Sequence, residues 1–281
     1  MNMLYEIEGT KNRDQNPVYD NPNFTTFQAH LVQFKWLLKD LVKKGESKTF
    51  YKFGDGDYFF LRGEAVGSAS PGKRALSKSY SDIKHEEFVS GVCENDYVNV
   101  ELYNRDLFNS LYPNRQINFN AEYGYGLVAN RWLTKTFSES IGIIGASQKV
   151  KLIEKLMEKK EYQEYLGLSK FQDYISIPQK FACDDIDATE KMVAEQLENS
   201  TSKIFLLGVG HVKSALLHRL KKYRDAVFLD VGSGIDALAG IIDHNRPYMG
   251  EWVNHRVQGF DYDSLDILQY DIWNTPYKMM E

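Results

Sequence analysis

Lys203-Ile204-Phe205-Leu206-Leu207-Gly208-Val209-Gly210-His211-Val212 is the stretch that decides how this chain folds. The run from Lys203 to Leu207 is short, apolar and closed by glycine, which predicts a buried strand rather than a helix. Gly208-Val209-Gly210 then makes a tight turn, and Val212 to Tyr223 reads as a helix. Ala226 to Val231 is a second apolar run. Strand, glycine turn, helix, strand is the repeating unit of a parallel sheet whose two faces are covered by helices.

The same alternation extends upstream. Ser140 to Gly145 predicts a strand, Ser147 to Lys159 a helix, Tyr174 to Ile177 a strand ended by Pro178, and Ala188 to Glu198 a helix with an acidic lead-in. In the first half, Leu31, Phe34, Leu37, Leu38 and Leu41 recur at helical spacing within Thr26 to Lys44, and Gly45 stops that helix. Lys48 to Phe53 reads as a strand, and Tyr58 to Leu61 as a second strand or the start of a helix. Gly63 to Lys73 has loop composition, residues 74–94 look helical with a polar break near Ser79 to Asp82, and Tyr97 to Leu102 is a strand candidate. Residues 103–137 hold a helix and an aromatic, Asn-rich stretch from Asn118 to Trp132 without a clear period. The expected fold is α/β, a Rossmann-like and largely parallel sheet with helices on both faces. An arm (residues 1–25), one domain (26–257) and an acidic, aromatic tail (258–281) complete the expectation.

With 281 residues the chain is long enough for a substantial core. A net charge of −5 argues against a nucleic-acid-coating surface. The basic cluster Lys221-Lys222-Tyr223-Arg224 suits a helix C-terminus, where the dipole favours positive charge. Cys93 and Cys183 form no C-x-x-C pair, which argues against structural zinc and for a reducing compartment. The apolar runs are too short to span a bilayer and residues 1–24 have no apolar signal core, so a soluble cytoplasmic protein is expected.

In parallel sheets ligands sit at the carboxyl ends of the strands. The loops after Phe53, Gly145, Leu207 and Val231 should therefore open on one rim. The first carries Phe53-Gly54-Asp55-Gly56-Asp57. Two carboxylates one residue apart are hard ligands suited to one Mg²⁺ or Mn²⁺, and glycine lets a ligand approach. Asp-Gly between apolar runs is also a hairpin signal, so the spacing leaves both readings open. The second, Gly208-Val209-Gly210-His211, exposes backbone N–H groups at a helix start, with Lys213 in reach of an anion, although the third glycine of a dinucleotide fingerprint is missing. The third, Phe228-Leu229-Asp230-Val231-Gly232-Ser233-Gly234-Ile235-Asp236, resembles the first motif of class I S-adenosylmethionine-dependent methyltransferases. There this strand opens the sheet; here about fifty residues follow it. Arg246, Tyr248, Glu251 and Trp252 suit phosphate binding and sugar stacking, or a packed surface loop. Zinc-protease, nucleophile-elbow and P-loop signatures are absent from the sequence.

Phe53-Gly54-Asp55-Gly56-Asp57 after an N-terminal helix resembles the F-G-D-G-E signature of the GT-D type glycosyltransferases. The second half is similar too: a strand ending in a glycine turn at Leu207 to Gly210, a helix, and a strand ending in D-x-G at Asp230-Val231-Gly232, with Asp236 a few positions on. This chain has Asp57 where the family has Glu, and Ser233 where members carry His. The resemblance implies that Asp55 and Asp57 bind a divalent cation, Mn²⁺ or Mg²⁺, which holds the diphosphate of a UDP-sugar. Gly54, Gly208, Gly210, His211, Lys213, Asp230 and Ser233 would line the donor site. A hexose or pentose would pass to a hydroxyl of a glycan acceptor, with inversion. Asp236 is the expected general base, and Asp230 and Glu251 compete with it. The alternatives are a methyltransferase and a non-catalytic nucleotide- or glycan-binding module.

Overall fold

Among the described residues seven strands form one sheet in the order β3-β2-β1-β7-β6-β4-β5, and every neighbouring pair is parallel. They are β1 (Lys48–Phe53), β2 (Tyr97–Val100), β3 (Phe119–Asn120), β4 (Ile141–Ala146), β5 (Tyr174–Ile177), β6 (Ile204–Gly208) and β7 (Val227–Asp230). The computed structural model describes residues 24–62, 85–179, 182–241, 252 and 254–262. The sheet is the parallel, helix-covered α/β architecture that the sequence predicts. The last strand, β7, lies at its centre between β1 and β6: Phe50 registers with Leu229, and Leu207 with Asp230.

Two apolar layers cover the sheet. One is built around α1 (Phe24–Lys44), α5 (Glu122–Ala129), α6 (Trp132–Thr136), α7 (Ser147–Met157), α8 (Lys160–Leu166) and α11 (Gly234–Leu238). The other contains α2 (Asp55–Leu61), α3 (His85–Cys93), α4 (Arg105–Leu111), α9 (Ile186–Leu197) and α10 (Lys213–Leu216). Strand alternation sorts the side chains between them: Phe50 and Leu229 face the first layer, Tyr51, Phe53 and Phe228 the second. On α1, Phe27, Leu31, Phe34, Leu38 and Leu41 are buried, each removal from water contributing about 1.5–3 kcal/mol. The Phe34 ring meets Phe50 and Phe119 edge-on, with centroids 5.7 and 5.0 Å away.

Two open readings are decided and one expectation needs correction. The Gly-Asp-Gly-Asp segment is not a hairpin turn, because α2 starts at Asp55 and both partners of β1 run parallel to it. Of the two readings of Tyr58 to Leu61, strand or helix start, the helix is the one found. Val212 to Tyr223 is not one α-helix: α10 is flanked by 3₁₀ turns at Gly210–Val212 and Leu217–Lys222. All four residues of α10 are buried, so this single turn has no solvent face of the kind an amphipathic helix needs. The core also continues past residue 258, since the Tyr262 hydroxyl accepts from the Val257 N–H and donates to the Ala239 carbonyl. Residues 63–84 and 242–251, with the loop, helix and Arg246, Tyr248 and Glu251 readings that fall on them, lie outside the described residues. No described helix is long and apolar enough to cross a membrane.

Candidate functional site

The chain leaves β1 and β6 into the layer of α2 and α10, and leaves β7 into the layer of α11. Neighbouring strands whose connections diverge this way open a crevice at their carboxyl ends. The Phe53-to-Asp57 segment, the Gly208-to-Lys213 turn and Asp230 all lie at this carboxyl rim, and a buried ion cluster joins them.

Asp57 is the third residue of α2 and only 5% exposed. Its Oδ2 accepts the Gly54 N–H at 2.8 Å, satisfying a donor that the helix start would leave orphaned. Its Oδ1 accepts the Tyr51 hydroxyl at 3.0 Å. The Lys213 ammonium lies 3.3 Å from Oδ2, and His211 Nδ1 lies 3.8 Å from Oδ1. Burial pushes this carboxyl upward, but Lys213 first, then His211 and Lys52, outweigh it and hold it well below the ordinary carboxylate range. Lys213 also pairs with Asp230 Oδ2 at 2.7 Å, donates to the Lys52 carbonyl and sits 4.6 Å from the Tyr51 ring centroid. Asp230 completes the cluster by accepting the Lys52 N–H at 3.1 Å and the Gly232 N–H at 2.9 Å.

A second charged group lies on the other face of the sheet at the same rim. The Lys52 ammonium pairs with Glu101 Oε1 at 2.6 Å, and Glu101 Oε2 accepts from Asn104 at 2.7 Å. Burial lowers the Lys52 pKa, but Glu101, Asp57 and Asp230 more than compensate and hold it above the ordinary lysine value. A Cβ on Gly54 would stand 3.1 Å from the Glu101 carboxylate, so this pair passes directly beside the β1–α2 junction. Glu122, at the start of α5, accepts the Leu102 N–H at 2.8 Å through Oε1.

The expected donor-site residues divide. Asp57, Lys213, His211 and Asp230 do come together, but they bind one another. The Lys213 ammonium is enclosed by protein acceptors rather than presented to a phosphate. The Gly54 N–H is taken by Asp57. Gly208 is explained by packing: a Cβ there would meet Ile235 Cβ at 2.5 Å and the Gly232 carbonyl at 2.8 Å. Gly210 has φ +64 and nothing within 4 Å of an added Cβ, so it is open backbone on the rim. Ser233 precedes α11 without a side-chain capping bond. Asp236 stands apart from the cluster, its carboxylate 2.5 Å from the Lys149 ammonium, so its Oδ1 already faces a protein cation. Trp252 is not a sugar platform: it is 0% exposed and packs edge-on against Tyr165. Glu122, missed in the sequence, belongs to the Asn118-to-Trp132 stretch that showed no period; an acid straight after a strand end was the only signal.

The paired-carboxylate metal clamp can be tested against this geometry. Both Asp57 oxygens are engaged, and an ammonium already fills the cation position between Asp57 and Asp230. Asp57 therefore does not fit the role of metal ligand. Asp55 opens α2 on the rim, and its side chain lies outside the described residues. Among the described residues no group of three or more His, Cys, Asp or Glu side chains could hold a metal ion. Comparisons with protein-family models, curated proteins and solved structures find no match.

The depressed Asp57 carboxyl carries a pH dependence. A group lowered on folding adds stability that is complete above its unfolded value, about 3.9, and is lost as acid titrates the folded form. Asp57→Asn should therefore be less stable by about 1.5–3 kcal/mol at pH 7, the range for hydrogen bonds to charged groups. Its stability should also fall less steeply than the wild type's on acidification below about pH 5. Urea unfolding across that range tests both, and parallel slopes would mean that the carboxylate is solvated.

Proposed function

We propose that this chain is a glycosyltransferase that takes a UDP-sugar donor on the carboxyl rim beside β7 and passes the sugar to a hydroxyl of a glycan acceptor. One observation carries the reading: Phe53-Gly54-Asp55-Gly56-Asp57 is a strand-to-helix junction opening on the crevice, and Lys213 fixes it to Asp230 on the central strand. The work of Asp57 is to position this junction. Capping and the buried ion cluster hold α2, the Gly210 turn and the end of β7 in one rigid arrangement, the preorganisation that transition-state stabilisation needs.

The charge balance bears on the cofactor. Asp57, Asp230 and Glu101 stand at this rim beside Lys52 and Lys213, with His211 next to Asp57. A bare diphosphate finds both ammonium groups already paired with the protein's own carboxylates. A Mn²⁺ or Mg²⁺ ion carried with the donor suits such a rim, with Asp55 as its protein ligand, because the phosphates can supply most of its oxygens. Bound there, the cation would offset charge developing on the leaving diphosphate. The methyltransferase reading is less well supported. The acid and the glycine N–H that would serve its cofactor, Asp230 and Gly232, are bonded to each other and, for Asp230, to Lys213.

Thermal unfolding with UDP, Mn²⁺, both, or S-adenosylmethionine tests the proposal, alongside sugar release from a panel of UDP-sugars. UDP with Mn²⁺ at about a hundredfold excess over Kd should stabilise the fold by about 2.7 kcal/mol, and neither alone should do so. Asp55→Asn should abolish that increment. Stabilisation by S-adenosylmethionine instead would overturn the proposal, and UDP binding without sugar release would leave a non-catalytic module.

A further inference from the structure

α5 is buried along its whole length from Glu122 to Ala129. Its path crosses the site: a Cβ on Gly124 would stand 3.2 Å from the Asp230 carbonyl, so this helix lies against the carboxyl end of β7. Two residues earlier, Glu122 is only 5% exposed. Oε1 is anchored by the Leu102 N–H, but Oε2 has no hydrogen-bond partner among the described residues. Asn99, 2% exposed, has an equally unpartnered Oδ1. Asn99 registers with Lys52 across β1 and β2, so both side chains point to the face of the sheet that α5 covers. Buried acceptors without partners are rare in folded proteins because desolvation is costly. Asn99 Oδ1 and Glu122 Oε2, two such acceptors on one face at this rim, are positions to which a ligand's donors can bind.

We infer that Glu122 is the general base of the transfer reaction, its Oε2 accepting the proton of the acceptor hydroxyl. This rests on the glycosyltransferase reading and replaces Asp236 in the role. The acceptor oxygen forms its bond to the anomeric carbon while the bond from that carbon to the phosphate oxygen breaks. The nucleoside diphosphate leaves with the electron pair, and the hydroxyl proton passes to Glu122. The surroundings suit the task. Burial, with Glu101 adding to it, pushes the Glu122 carboxyl up to about 7, against the lowering effects of the Leu102 N–H, its own backbone N–H and Lys52. Tyr123, the next residue on α5, is itself raised, first by burial. A base titrating near neutrality combines a useful ionised fraction with a strong pull on the proton.

The test compares wild type and Glu122→Gln in sugar transfer across pH. Wild-type kcat should rise through an apparent pKa near 7. Glu122→Gln should lose about 10²–10⁴-fold in kcat with little change in the donor KM, and should lose that limb. A carboxyl raised on folding costs stability as pH climbs from its unfolded value, about 4.3, through its folded one, so the Gln variant should be at least as stable as wild type above pH 7. If Glu122→Gln does not fold, Glu122→Asp takes its place: it should lower kcat and keep the limb, and unchanged kcat overturns the inference. Near-wild-type turnover in Glu122→Gln, with the limb intact, overturns the assignment but leaves the glycosyltransferase standing. A wild-type enzyme that transfers no sugar removes both.

Discussion

Lys213→Met is expected to cost about 3–5 kcal/mol at pH 7, the range found when one member of a buried ion pair is removed. That is a large share of the 5–15 kcal/mol by which folded proteins usually exceed their unfolded state. The reason is local. Lys213 is 6% exposed, Asp57 5% and Asp230 3%, and the one ammonium contacts both carboxylates. Methionine fills much of the same space but leaves two negative charges facing each other out of water. Lys213 is the main group holding the Asp57 carboxyl low, so without it Asp57 takes up a proton more readily and the deficit should shrink as pH falls toward the ordinary carboxylate range of about 4. Adding Asp230→Asn should recover part of the loss, and the two changes should be strongly non-additive, as for any residues sharing one network. Urea unfolding of the single and double variants at pH 7 and pH 5 measures this. A loss under about 1 kcal/mol at pH 7, typical of exposed pairs, would mean that water reaches the cluster.

The same cluster marks where the sequence stops being legible. β1, β4, β5, β6 and β7 lie within a residue or two of where their apolar runs put them, because a strand covered on both faces is mostly apolar along its length. α1 announced itself by its single apolar stripe. β3 did not: two residues are too few to carry a pattern. Nor did α5, which is buried all round and so shows no helical period. The rim was legible as well. Asp57, Lys213 and Asp230 were placed on one edge by topology alone, and they are there. What the residue types did not disclose is their partners. A lysine after a glycine turn and an acid at a strand end describe a phosphate site equally well whether they face outward or each other. Only the fold brings Lys213 against Asp57 across 156 positions of sequence. Asp236 shows the converse: its position after the last strand suited a base, but Lys149, the third residue of α7, claims it.

Gly91→Ala should be nearly as damaging although it touches no charged group. Gly91 lies on α3 against α10, and a Cβ there would overlap the Ser214 carbonyl and stand 3.0 Å from the His218 ring. An obstructing side chain can rotate away; a backbone carbonyl cannot. The two helices must therefore separate, and overpacking of this kind costs about 1–3 kcal/mol or somewhat more. Alanine's better intrinsic helix propensity, worth about 1 kcal/mol, offsets only part of this. The consequence for the site follows from chain connectivity. Ser214 adjoins Lys213, and its Oγ lies 2.8 Å from the Tyr51 hydroxyl that binds Asp57. Moving α10 off α3 therefore strains the joint between the Gly210 turn and the β1–α2 junction. The expected result is a lowered unfolding midpoint together with, at the donor site proposed above, weaker stabilisation by UDP and Mn²⁺, while Gly259→Ala serves as a control. Gly259 has φ +72 but open space around an added Cβ, so it carries backbone strain and no clash. If the two variants lose stability equally and bind donor equally well, helix approach at Gly91 does not transmit to the rim. A selective loss in Gly91→Ala would show that the site's geometry is set by how closely two helices pack beneath it.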